Sequence, residues 1–198
     1  MHENSKLLFD KYAKPYFRPG YRVLEIGPDA FPSSYAMLVN EPSITWDTTD
    51  ISDHGSYTYP NAGEYSFPVP EGSYDIVLSG QVIEHVRKIW IWVRELERVC
   101  KKGGYVIIIN PVSWTFHQVP LDCWRIYPDG MKALLEDTAL RIVDSRFESL
   151  ETPGYKRYRP GISSADQTPK MRLFYKLGGM VGLPVERSYD TITIAQKA

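Results

Sequence analysis

Three groups of residues in this chain are equipped for chemistry. Carboxylates interrupt or close two apolar runs: Glu25 within Val23-Leu24-Glu25-Ile26-Gly27, and Asp50 at the end of Ile44-Thr45-Trp46-Asp47-Thr48-Thr49-Asp50. A carboxylate inside a buried run needs a cationic or hydrogen-bonding partner, so Glu25 points to a ligand with a positive end. Asp50 follows Gly27 by roughly 20 residues, the separation at which nucleotide-binding folds place an acid for ribose hydroxyls. A carboxylate accepts from both hydroxyls at once, although an Asp in this place could equally do no more than end a strand.

Histidine is the second group, because its proton moves near neutral pH. His85 falls just past an apolar strand and could act as a base or simply buttress its loop. His117 lies in an irregular aromatic stretch, where a solvated histidine is the plain alternative, and Asp122 could assist it or pair with Arg125. His54 reads as a surface residue. The third group is basic: residues 151 to 187 carry Lys156, Arg157, Arg159, Lys170, Arg172, Lys176 and Arg187 against Glu151, Asp166 and Glu186. Arg157 and Arg159 could form forks for phosphate or carboxylate, or the whole run could be a solvated insertion.

Alternating elements must position these groups. The pattern predicts a helix over residues 4 to 14 with Leu7, Leu8 and Tyr12 on one face, then a strand ending in the Gly27 turn. A helix from Ser33 to Asn40 and a strand from Ile44 to Asp50 follow. A short third strand is expected at Tyr57 to Tyr59, and a fourth over Tyr74 to Ser79. Val86, Ile89, Trp90, Val93, Leu96 and Val99 recur at helical spacing and predict one long helix over Val82 to Lys102, stopped by Gly103-Gly104. Tyr105 to Asn110 is a nearly continuous apolar run, as in a strand covered on both faces. Pro128 to Asp137 reads as helix, and Leu140 to Ser149 and Ser188 to Ala195 as strands. Strand and helix in alternation predict a doubly wound, mostly parallel α/β sheet with helices on both faces.

With 198 residues, 43% hydrophobic and 24% charged, the chain suits one domain with its own core. A formal charge of −1 argues against a general nucleic-acid binder. Cys100 and Cys123 form no disulfide framework, and no signal peptide or membrane-length apolar run is present, so the expected location is cytoplasmic.

The glycine turn carries a family resemblance. Val23-Leu24-Glu25-Ile26-Gly27 resembles the first motif of the class I S-adenosylmethionine-dependent methyltransferases. Asp29 and Phe31 stand at the second and third glycines of E-x-G-x-G-x-G; Asp29 could supply the left-handed backbone, whereas Phe31 could not. Tyr74-Asp-Ile-Val-Leu-Ser-Gly-Gln-Val-Ile-Glu-His-Val86 and Arg94-Glu-Leu-Glu-Arg-Val-Cys-Lys-Lys-Gly-Gly-Tyr-Val-Ile-Ile-Ile-Asn-Pro111 are similar to the central motifs of that superfamily's small-molecule, methyltransferase type 11-like group. The resemblance covers about residues 7 to 147. Phe67 to Asp75 resembles the family's L-P-F-P-D-G-S-F-D link, and Asp122 to Gly130 is similar to an element of methyltransferases near surface-glycan pathways.

The resemblance implies a seven-stranded sheet with the last strand antiparallel, and S-adenosylmethionine as cofactor. It implies cofactor contacts from Glu25, Gly27, Pro28, Asp29, Asp50, Ile51, Ser79, Gly80 and Gln81. The family's adenine-contacting acid falls on Gly63, so Glu64 or Asn61 is expected to replace it. Beside the resemblance, the residue types and their placement make His85, His117 or Asp122 the candidates for catalysis, and suggest an acceptor held by Trp114, Trp124, Arg125, Arg157 and Arg159 with 151–187 as a lid or as a solvated insertion. The reaction expected is methylation, favouring oxygen, of a small molecule, with an anionic one such as a sugar phosphate, or a sugar, in glycan biosynthesis as the class in view. Some O-methyltransferases of the superfamily bind metal through E-x-x-E-H. Gln81 replaces the first ligand here and no other cluster has ligand spacing, so no metal is expected. A non-catalytic S-adenosylmethionine-binding module and an NAD-dependent oxidoreductase are the rival readings; the absence of G-x-G-x-x-G speaks against the second.

Overall fold

The computed structural model describes residues 3–53, 55–114, 116–118, 120–151 and 188–198, with six further positions between 170 and 181. Its strands are β1 (Arg22–Ile26), β2 (Thr45–Thr49), β3 (Tyr74–Gly80), β4 (Cys100–Pro111), β5 (Leu140–Glu148) and β6 (Asp190–Lys197). They form one sheet in the order β2-β1-β3-β4-β6-β5. β1, β2, β3 and β4 pair in parallel, while β6 runs antiparallel between β4 and β5. This is the doubly wound, mostly parallel sheet that the alternation predicts, with the last strand reversed.

The described sheet has six strands rather than seven. Tyr57 to Tyr59 does not form a strand; it meets β2 through a single parallel bridge, Thr49 to Tyr59. The Thr58 and Thr48 side chains exchange hydrogen bonds with each other's backbone N–H at 3.1 Å, so hydroxyls stand in for part of a ladder.

Alternate strand residues feed two apolar layers, as a sheet covered on both faces requires. Leu24, Ile26, Val77, Val106 and Ile108 pack with Trp92, Val93 and Leu96 of α3 (Ile89–Val99) and with Met131 and Leu135 of α4 (Pro128–Leu135). Val23, Ile76, Leu78, Ile107, Ile109, Ile192 and Ile194 face Leu8 of α1 (Glu3–Leu8), the continuing turns at Phe9 and Ala13, and Tyr35 of α2 (Ser34–Val39). Ser33 caps α2 by accepting from Ala36 N, and Asn40 closes it in the left-handed region.

Two helices depart from the expected pattern. The long helix breaks in two: a single turn at Ile83–His85, an extended Val86, and then α3, which ends at Val99. β4 therefore starts at Cys100, before Gly103-Gly104, and a four-residue irregularity separates the Tyr74–Cys100 pair from Ile76–Tyr105. The break follows from the Trp124 indole donating to Val86 O at 2.8 Å, which takes a carbonyl out of any helix ladder. Trp90 is consequently exposed and Trp92 buried, the reverse of the expected stripe. Near the N-terminus, Asn4 and Ser5 are buried with Leu8, while Leu7 and Tyr12 are only half-buried. Asn4 donates to Glu148 O and Asp190 Oδ2 and accepts from Leu150 N, so a polar residue fastens this helix across β5 and β6.

Gly80 ends β3 against Tyr35, and a Cβ there would be driven into the Tyr35 ring. Tyr35 is fully buried and has nowhere to go. Gly80→Ala should destabilise the fold by about 1–3 kcal/mol, read as a lowered urea midpoint at unchanged m-value.

Candidate functional site

The carboxyl ends of β1, β2, β3 and β4 form the rim on which parallel α/β sheets bind ligands. At its centre is Gly27, with φ +65. Its N–H donates to Thr49 O at 2.9 Å, and a Cβ would lie 2.7 Å from Val82 Cγ2 and 3.7 Å from Asp50 Oδ2. The turn after β1 is thus pressed between the ends of β2 and β3, and only glycine fits both the angle and the space. Asp50 stands beside it, its Oδ1 accepting from Ser52 N at 2.8 Å. Sequence spacing placed these two together, and the fold does so. Ile51 next to them is exposed, and Pro28 is buried.

Glu25 lies a layer below. It is 1% exposed, and its Oε2 accepts from the Ser33 hydroxyl and from Trp46 Nε1 at 2.7 Å. Burial pushes this carboxyl up to about 7 against those two stabilising bonds. The hydrogen-bonding partners that the sequence demanded for Glu25 are therefore internal. Asp29 is not left-handed: it accepts from both Ser34 N and Ser34 Oγ, at 2.9 and 2.7 Å, and secures the start of α2. Glu64 turns towards Arg87, accepting from its backbone N–H at 3.0 Å and its guanidinium at 2.9 Å, which lowers its pKa despite the cost of desolvation.

The end of β3 carries polar atoms that lack partners. Ser79 Oγ and Gln81 Oε1 are buried and have no hydrogen-bond partner among the described residues. Gln81 adopts φ 60, and its amide nitrogen donates to Ser5 Oγ at 2.8 Å and Asp190 Oδ1 at 3.3 Å. Unpaired buried polar atoms are costly and mark places where a ligand can complete the bonding.

Beyond β3 and β4 a second group converges. His85 Nδ1 is held against Leu121 O, and His85 Nε2 lies 3.7 Å from Glu84 Oε1. The His85 and His117 rings meet edge to face, with centroids 5.1 Å apart. His117 Nδ1 is 3.4 Å from Asp122 Oδ2, which also accepts from His117 N at 2.7 Å. Arg125 grips both oxygens of Asp122 and holds its pKa down at about 2. Next to them Trp114, Phe116, Asp122, Cys123, Trp124 and Arg125 line a shallow cavity of about 290 Å³. A larger hollow of about 540 Å³, between α3 and α4, is lined by Trp90 and Arg94 but lies off the strand ends. Arg157, Arg159, His54 and nearly all of 151–187 fall outside the described residues.

Sequence reading missed Glu84. It has no exposure, neither of its oxygens has a hydrogen-bond partner, and burial pushes it up to about 8. Its adjacency to His85 was the one available signal; its burial was not readable.

The family described as a methyltransferase domain matches residues 30–108. A 2-methyl-6-phytyl-1,4-hydroquinone methyltransferase from Synechocystis sp. is 26% identical over 164 residues, covering 76% of this chain. The chain spans 50% of that relative's length. These matches make the chain similar to S-adenosylmethionine-dependent methyltransferases. A SAM-dependent methyltransferase from Archaeoglobus fulgidus shares the fold at TM-score 0.65 and 20% identity, over 97% of this chain and 92% of that one. One from Methanosarcina mazei does so at 0.60 and 14%, over 94% and 97%. So does the [4+2]-cyclase SpnF, at 0.63 and 15%, over 98% and 80%. At such identities the likeness is one of fold.

S-adenosylmethionine is the cofactor that similarity to a methyltransferase domain implies, and the rim fits it. The left-handed turn at Gly27, a carboxylate at Asp50 beside it and unpaired oxygens at Ser79 and Gln81 match a ligand rich in N–H and O–H groups.

The Glu25 proton also sets a stability trend. As pH rises from about 4.5 to about 7 the unfolded chain releases this proton while the folded chain keeps it, so stability falls through that window. Its full contribution is present below 4.5, and nothing further is lost above 7. Glu25→Gln should flatten the fall, which is on the order of 3 kcal/mol, in urea titrations between pH 4.5 and 8. An unchanged slope would place the carboxyl at its ordinary value.

Proposed function

We propose that this chain transfers a methyl group from S-adenosylmethionine to a hydroxyl-bearing small molecule. The observation that carries the reading is the rim itself, where Asp50 adjoins the Gly27 turn and Ser79 and Gln81 present unpaired oxygens. When bound, the cofactor supplies an electrophilic methyl on a sulfonium. Asp50 would hold the ribose hydroxyls with Ile51 alongside, and Gln81 Oε1 and Ser79 Oγ would meet the amino-acid end. Glu25, Asp29 and Pro28 would shape the turn from beneath. Glu64, tied to Arg87, would bound the adenine side. The chain need contribute little covalent chemistry, since alignment of donor and acceptor can supply roughly 7–11 kcal/mol.

The acceptor would lie against the aromatic cavity of Trp114 and Trp124, beside Arg125. Flat walls next to a charged pair suit a sugar or sugar phosphate, the class the sequence favours. The hydroquinone named for the Synechocystis relative also offers a flat face and hydroxyls. An oxygen acceptor would lose its proton towards the group of Glu84, His85, His117 and Asp122. Arg157 and Arg159 would cover an anionic acceptor from the 151–187 segment. The exposed free thiol of Cys123 suits a reducing, cytoplasmic setting, and no helix among the described residues is long and apolar enough to cross a membrane.

Titration calorimetry with S-adenosylmethionine, its demethylated product and NAD separates this reading from its rivals. Only the first two should bind, and labelled cofactor incubated with cell extract should label a small molecule. Tight binding without any labelled product would favour a non-catalytic module. Asp50→Ala should weaken cofactor affinity by about 1–3 kcal/mol; equal affinity removes the ribose role.

A further inference from the structure

We infer that Glu84, His85 and His117 form a binding site for one divalent transition-metal cation on the acceptor side of the rim. Each of the three offers a ligand atom, and these atoms all lie within 4.8 Å of one another. Glu84 supplies the decisive observation. It has no exposure, both oxygens are without a hydrogen-bond partner, and His85 Nε2, at 3.7 Å, is too far to be one. A carboxyl group so placed meets no hydrogen-bond donor of another residue among those described, and a cation would satisfy both oxygens at once.

The surroundings match what metal-ligating imidazoles require. His85 Nδ1 is held by the Leu121 carbonyl, which fixes the ring and leaves Nε2 on the side facing Glu84. Asp122 holds the His117 loop through its backbone N–H and stands 3.4 Å from the ring, and Arg125 locks Asp122 in turn. Two imidazoles and one carboxylate favour zinc, cobalt or manganese over magnesium or calcium, and three protein ligands leave positions open. The sequence argued against metal because Gln81 replaces a carboxylate and no second cluster has ligand spacing. The fold supplies that cluster by bringing His117 across from the loop after β4, while Gln81 turns away to Ser5.

The cation's presence does not depend on the methyltransferase reading, but its task does: an acceptor hydroxyl on an open position would ionise more readily. The test uses the full chain. It is dialysed against Zn²⁺, Co²⁺ or Mg²⁺ alone, bound metal is counted by mass spectrometry, and the visible spectrum of Co²⁺ is recorded. One Zn²⁺ or Co²⁺ per chain is expected, with little Mg²⁺ and a Co²⁺ spectrum typical of nitrogen ligation. Glu84→Gln, His85→Ala and His117→Ala should each lower Zn²⁺ affinity at least tenfold, and Cys123→Ser should not. Should Glu84→Gln fail to fold, His117→Ala, on a partly exposed loop, carries the test. Absence of stoichiometric uptake, or uptake unchanged in the histidine variants, overturns the site. S-adenosylmethionine titrated into the same metal-free protein reports separately on the methyltransferase reading.

Discussion

The structure depends on how closely three strand ends approach at Gly27. A residue with a Cβ would collide with Val82, and one confined to negative φ would send the following chain in another direction, so a glycine in the left-handed region is what lets β1 turn there. Once the turn is made, the end of β2 delivers Asp50 to one side of it and the segment after β3 passes over the other. The same close packing operates one strand along, where Gly80 accepts the Tyr35 ring. The rim is therefore rigid backbone with side chains set on it, which suits a site that works by orientation.

Polar groups below and beside this rim divide into two classes. Glu25 and Glu95, both buried, and the exposed Asp29 are carboxylates with donors of their own: Ser33 and Trp46 for Glu25, Phe67 N with Arg98 for Glu95, and Ser34 for Asp29. They brace the turn, the helix that follows it, and the Phe67–Val69 link. Ser79, Gln81 and Glu84 keep oxygens without a hydrogen-bond partner among the described residues. The first class stabilises; the second is destabilising in isolation and clusters where ligands would complete it.

Much of the fold was legible because periodicity survives in a single sequence. Apolar runs of strand length, helical stripes between them, and glycine or proline at their ends gave the parallel sheet, while its reversed last strand was an implication of the family resemblance. The misjudged elements share a cause. Trp124 claims Val86 O and splits a helix, Asn4 makes a polar face into the buried one, and Thr48 with Thr58 replaces a strand by two side-chain bonds. In each, a partner distant in sequence outbids local preference.

The candidate site divides the same way. Sequence alone determined that Gly27 and Asp50 would share a rim, because both sit at ends of adjacent parallel strands and their separation is one helical crossover. It also singled out His85, His117, Asp122 and Arg125. Only tertiary structure decided that Glu25's partners are Ser33 and Trp46, that Gln81 faces Ser5 and Asp190, and that Glu84 is buried without partners beside two imidazoles. Backbone spacing fixes which strand end a residue occupies, but burial and donor supply depend on which other segments arrive there, and those are set by the packing of the whole chain.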